Sequence, residues 1–105
     1  LSLEIAWQQV PVLEGVRDLV RAGHVTGASG RNWAGYGAEV LLPDSFAAQE
    51  LALLTDPQTS GGLLVSCAPE AVNEVLAVFK RHGFEDAAVV GSVKPRGDGP
   101  SLVIR

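Results

Sequence analysis

The 105 residues carry 8 Lys and Arg against 12 Asp and Glu, a formal net charge of −4, which excludes the broad basic surface that grips nucleic-acid phosphates. A composition 47% hydrophobic and 19% charged describes one compact domain over residues 1–105 and excludes a disordered tail or a repeat array. No apolar run approaches the roughly 20 residues needed to cross a bilayer, and the single cysteine, Cys67, allows no internal disulfide, so a reduced, cytoplasmic setting without a membrane partner is expected.

Leu1, Leu3, Ile5 and Trp7 alternate with Ser2, Glu4 and Ala6, the period-two pattern of a strand with one buried face. The chain contains no methionine and opens directly in this pattern, which raises the expectation of a fragment of something longer. Val12, Val16, Leu19 and Val20 then recur at helical spacing, and Gly23 stands where that helix would stop. The glycine-rich stretch "HVTGASGRNWAGYG" (24–37) shows no sustained period and reads as a long loop, of a length that in compact domains is often functional. A short helix is expected after Pro43, capped by Asp44 or Ser45, with Phe46, Leu51 and Leu54 inward, and ending before Pro57.

The continuous apolar run 62–67 reads as a strand buried on both faces. Pro69 then opens a helix in which Val72, Val75, Leu76 and Phe79 form one face; Lys80, Arg81 and His82 suit its carboxyl end, and Gly83 closes it. "AAVVGSV" (87–93) and "SLVIR" (101–105) read as two strands joined by "KPRGDGP". The expected order is β-α-(loop)-α-β-α-β-β, an α+β arrangement of helices against a mixed sheet that ends in a hairpin.

Residues 55–62, "TDPQTSGG", are the first candidate for chemistry. Asp56 offers an anion, Gln58 an amide, Thr59 and Ser60 hydroxyls, and Gly61 and Gly62 permit close backbone approach to an oxyanion. A P-loop is excluded, because it needs a Lys-Ser/Thr pair opening a helix and here the glycines precede an apolar run. Spacing alone favours a structural turn, initiated by Asp-Pro and ended by Gly-Gly. Arg31 and Asn32, between glycines, suit a phosphate or a partner domain; a solvated loop anchored by Trp33 and Tyr36 is the equal alternative. His24 and His82 lack a second ligand at metal spacing, Cys67 reads as a buried inert thiol, and Arg96-Gly97-Asp98 reads as a turn.

"LLTDPQTSGGLLVSCAPEAVNEVLAVFKRHGF…AAVVGSV", with "GRNWAGYG" upstream, resembles the carboxy-terminal part of the selenophosphate synthetases, within the wider group that includes aminoimidazole ribonucleotide synthetase. The resemblance covers nearly the whole chain. It implies an α/β/α layered domain, partly ferredoxin-like, that covers a cleft beside an ATP-binding domain. It also implies a parent enzyme, a homodimer, that makes selenophosphate, AMP and phosphate from selenide, ATP and water with Mg2+. In that family the reactive Cys or selenocysteine, its Lys and most ATP and metal contacts lie in the amino-terminal portion. The resemblance therefore assigns no catalytic and no metal-binding residue to this chain, and leaves Arg31, Asn32, Asp56, Gln58, Thr59, Ser60, Gly61 and Gly62 as residues facing the cleft.

An acidic chain without a carboxylate cluster or a Lys-bearing phosphate loop lacks the cationic groups that cleavage of a nucleoside triphosphate requires. The chain alone is expected to be inert, to hold no cofactor, and to need the amino-terminal ATP-binding domain as partner. An apolar face left bare by its absence would favour self-association. A free-standing binding module, or the same domain from a related ATP-dependent synthetase, is the competing reading.

Overall fold

The computed structural model describes residues 1–105 and shows an α+β domain around a four-stranded mixed sheet. Strand β1 (Ser2–Ile5) is followed by a 3-10 turn at Trp7–Gln9, helix α1 (Val16–Arg21) and helix α2 (Gly27–Tyr36). The two-residue strand β2 (Val40–Leu41), helix α3 (Ala48–Leu54) and helix α4 (Val72–Arg81) come next. Strands β3 (Gly91–Lys94) and β4 (Leu102–Ile104) complete the order. No helix is long and apolar enough to cross a membrane.

The sheet runs β2-β4-β1-β3. β1 lies parallel to β4 and antiparallel to β3, while β2 pairs in parallel with β4. The expected terminal hairpin is therefore absent: β1 inserts between the last two strands, and six turn-rich residues from Pro95 to Pro100 carry the chain across its end. Register sets the faces. Val40, Leu102, Leu3 and Val93 are successive partners across all four strands, so period-two alternation puts them on one apolar face. Glu4 falls on the other, where Lys94 reaches it at 2.8 Å and Arg105 at 3.1 Å.

Trp7 and Ile104 are the buried apolar residues, and Trp7 staples the sheet to the helices. Its ring lies edge-on to Phe46 at 6.0 Å, its Nε1 donates to Glu50 Oε2 at 2.5 Å, and the Arg17 guanidinium sits 5.8 Å from its centroid. Arg17 also donates to Glu50, so one carboxylate joins the end of β1 to α1 and α3. Helices α1 and α2 both pack against α3.

Several expectations are corrected. The helix expected from Val12 begins only at Val16, because Gly15 holds φ +80° and breaks the spiral; its stop at Gly23, φ +88°, is where the sequence puts it. Ala47, not Asp44 or Ser45, precedes the first turn of α3, and Phe46 lies just outside the helix against Trp7. The apolar run 62–67 forms no strand and is exposed throughout, Cys67 included. An apolar segment becomes a buried strand only when neighbouring strands satisfy its backbone, and here none lies beside it. The helix opened by Pro69 is present, led by a 3-10 turn at Pro69–Ala71 and closed by Gly83 at φ +85°.

Candidate functional site

The largest departure from expectation falls on a candidate segment. Residues 27–36, expected as loop, fold as helix α2, although each glycine in a helix interior costs about 1 kcal/mol relative to alanine. Two polar anchors offset that cost. Ser29 Oγ donates to the Ala52 carbonyl at 3.1 Å, and Asn32 Nδ2 donates to the Thr55 carbonyl at 2.9 Å. Ser29 and Asn32 stand three residues apart on one helical face, the face that α2 turns to the end of α3. The periodicity was present in the sequence as Ser29, Asn32, Trp33 and Tyr36, but as a polar and aromatic stripe rather than an aliphatic one.

Thr55 is the root of the 55–62 segment and is only 3% exposed. It caps the end of α3: its Oγ1 donates to the Leu51 carbonyl at 2.8 Å and its backbone N–H to the same carbonyl at 3.1 Å. Thr55 and Ser29 are the buried polar residues of the chain, and both escaped the sequence reading, which weighed the more exposed hydroxyls of Thr59 and Ser60. The available signal was Ser29's place on the α2 stripe and Thr55's position directly after the helix.

The structure thus brings Asn32 to the base of the signature segment. Arg31, the next position round the helix, is exposed and donates to the Gly27 carbonyl of its own helix at 3.1 Å. Asp56 is half-buried and, with His24, edges a pocket of about 120 Å³ lined by apolar side chains of α1 and α3. Ligand pockets usually span about 300–1,000 Å³, so this one does not hold a nucleotide. Gln58, Thr59, Ser60, Gly61 and Gly62 are exposed. Gln58 folds over Gly61, where an added Cβ would lie 3.0 Å from its Oε1. The side chains of Gln58, Thr59 and Ser60 make no hydrogen bond within the chain. A larger open groove of about 460 Å³ lies at the β2–β4 edge, lined by Asp44 and Arg105 among others and by none of the candidate residues.

Electrostatically the site is sparse. No three His, Cys, Asp or Glu side chains come together as a metal site would require, and residues 55–62 contain no Lys or Arg. The perturbed carboxyls lie elsewhere. Burial pushes the Glu50 carboxyl up, but hydrogen bonds from Arg17 and Trp7 outweigh it and hold the group below its ordinary value. Hydrogen bonds from Lys94 and Arg105 do the same for Glu4. Both sites are structural ties rather than groups poised for proton transfer.

Residues 8–103 match the family described as AIR synthase related protein, C-terminal domain. The chain is 54% identical over 103 residues to a selenide, water dikinase of Burkholderia ambifaria (strain MC40-6), covering 98% of this chain and 28% of that protein. It is 57% identical over 93 residues to the selenide, water dikinase of Burkholderia pseudomallei (strain K96243), covering 89% of this chain and 26% of that protein. A third, from Dechloromonas aromatica (strain RCB), is 52% identical over 103 residues, 98% of this chain and 30% of that protein. The chain therefore spans between a quarter and a third of the length of these relatives. With the match running through every helix and through β2, β3 and most of β4, this chain belongs to the AIR synthase related protein C-terminal domain family.

Proposed function

We propose that this chain serves as the carboxy-terminal, cleft-covering domain of a selenide, water dikinase, an enzyme that converts selenide, ATP and water to selenophosphate, AMP and phosphate. The observation that carries the reading is the signature segment itself: its root is tied down by Thr55 and Asn32, while Thr59 and Ser60 stand exposed beyond it with no partner in the chain. A loop with a fixed base and free donors is suited to meet a ligand or domain surface from outside.

The residues present do not make a metal–triphosphate site, since Asp56 is the one carboxylate of the segment and no cation accompanies it. Mg2+ and the bulk of ATP binding then belong to an amino-terminal ATP-binding domain. This chain contributes backbone N–H groups around Gly61 and Gly62 and the two hydroxyls, which orient phosphate oxygens and exclude water when the cleft closes. The chain by itself turns over nothing, the assembled enzyme is a dimer, and it works in the cytoplasm.

In the full-length enzyme, replacing both Thr59 and Ser60 by Ala is expected to raise KM for ATP about tenfold, the worth of one hydrogen bond to a charged group. The fold should be untouched, because both side chains are exposed. Unchanged ATP affinity and unchanged activity would reduce the segment to a structural turn. Selenide-dependent ATP turnover by the 105-residue chain would overturn the assignment of the chemistry to another domain.

A further inference from the structure

A helix leaves its last carbonyls without partners inside the helix, and at the end of α3 other groups take up three of them. The Leu51 carbonyl accepts the Thr55 N–H and Oγ1, Ala52 accepts Ser29 Oγ at 3.1 Å, and Leu53 accepts the Asp56 N–H at 3.3 Å. The Thr55 carbonyl, one residue beyond the helix, takes the Asn32 amide at 2.9 Å. Beyond Asp56 the ties stop: no main-chain hydrogen bond reaches any residue from 57 to 67. Asn32 therefore grips the chain at its departure point.

Both anchors of α2 on α3 are polar, and a hydrogen bond fixes direction in a way that apolar contact does not. Their places differ. Ser29 meets a carbonyl within the last turn of α3 and locks one helix against the other. Asn32 meets the chain just past that helix, at a residue only 3% exposed, where the signature segment begins. Pro57 follows two residues later; its fixed φ, and the bias it imposes on Asp56 toward extended backbone, carry the direction set at Thr55 outward. Thr59 lies four residues beyond Thr55, at most about 14 Å of chain. A tilt of about 10° at the root moves a group at that reach by roughly 2 Å, enough to break a hydrogen bond confined to about 2.7–3.2 Å.

We infer that Asn32 is a positioning residue for nucleotide binding. It touches no ligand itself; acting through Thr55, it sets where the Thr59 and Ser60 hydroxyls meet phosphate oxygens. Ser29, three residues away on the same face, serves the fold alone. This role rests on the reading of Thr59 and Ser60 as phosphate contacts.

The experiment is ATP saturation kinetics of the full-length enzyme, run well below the thermal midpoint of every variant so that the whole population is folded. Asn32→Ala is expected to raise KM for ATP about three- to tenfold with kcat little changed, as for lost binding rather than lost chemistry. Ser29→Ala should lower the thermal midpoint and leave KM at the wild-type value. Asn32→Ala added to the Thr59→Ala/Ser60→Ala enzyme should raise KM no further, since residues that act through one another are not additive. An unmoved KM in Asn32→Ala, an equal rise in Ser29→Ala, or full additivity in the combined variant overturns the role. If Thr59→Ala/Ser60→Ala itself has the wild-type KM, the reading beneath the role falls and the role with it; a raised KM there beside an unmoved Asn32→Ala overturns the role alone. Should Asn32→Ala fail to fold, Thr55→Val decides in its place. That variant keeps the side-chain shape and removes the Oγ1 bond to Leu51 that holds the same root; KM should rise, and an unmoved value overturns the role.

Discussion

Asn32 Nδ2 donates to the Thr55 carbonyl at 2.9 Å, and this one bond joins the middle of α2 to the residue from which the Asp56–Gly62 signature departs. Thr55 is 3% exposed, so its carbonyl loses a partner that water cannot readily replace if Asn32 is truncated. Asn32→Ala is expected to cost about 1–3 kcal/mol, read as a fall in thermal midpoint of about 4–8 °C per kcal/mol for a domain near this size. Asn32→Asp, which keeps the shape and removes the donor, should be at least as damaging. A midpoint within 2 °C of wild type, roughly 0.5 kcal/mol or less, would mean that α2 is held by its other contacts.

Gly91 is required by contact rather than by turn geometry. A Cβ built there would sit 2.0 Å from the Glu4 carbonyl oxygen of β1, and a backbone oxygen cannot rotate aside. Gly91→Ala should part β1 from β3 and cost about 1–3 kcal/mol, the usual range for overpacking. Faster amide exchange confined to β1 and β3 would identify the cause; wild-type stability would mean that the strands have slack.

Two glycines of the 24–37 region should respond in opposite directions. Gly30 lies inside α2 with nothing within 4 Å of an added Cβ, so Gly30→Ala should stabilise by about 0.5–1 kcal/mol. Gly37 lies under the Trp33 ring, 2.7 Å from where its Cβ would be, and Gly37→Ala should destabilise. Denaturant midpoints measured side by side test the pair, and equal shifts of one sign would refute the helical reading of this region.

Glu50 accepts hydrogen bonds from Trp7 and Arg17, and its carboxyl is held below the ordinary value. A group depressed on folding adds stability that is fully present above its unfolded value and is lost as pH falls through the folded one. Stability should therefore decline in acid, from about pH 4.3 downward, and Glu50→Gln should flatten that decline while lowering stability at neutral pH by about 1–2 kcal/mol. A variant whose acid limb matches wild type would locate the acid sensitivity elsewhere, Glu4 with its Lys94 and Arg105 partners being the next group to examine.

Period-two and helical repeats in the sequence located β1, α3 and α4, and glycines at positive φ ended α1 and α4 where expected. Those features are local: they depend on side-chain spacing and on backbone freedom at single residues. The 55–62 stretch was equally legible, as the signature that gave the family resemblance.

What tertiary structure decided was everything that needs a partner distant in sequence. Residues 27–36 are helical because Ser29 and Asn32 find carbonyls 23 residues away at the end of α3, a reward that no glycine count foretells. The order β2-β4-β1-β3 depends on which backbone edges meet, so two strands adjacent in the sequence are separated by the first. The run 62–67 shows the same rule from the other side: hydrophobicity marks a segment as fit for burial, but only a second backbone alongside makes it a strand.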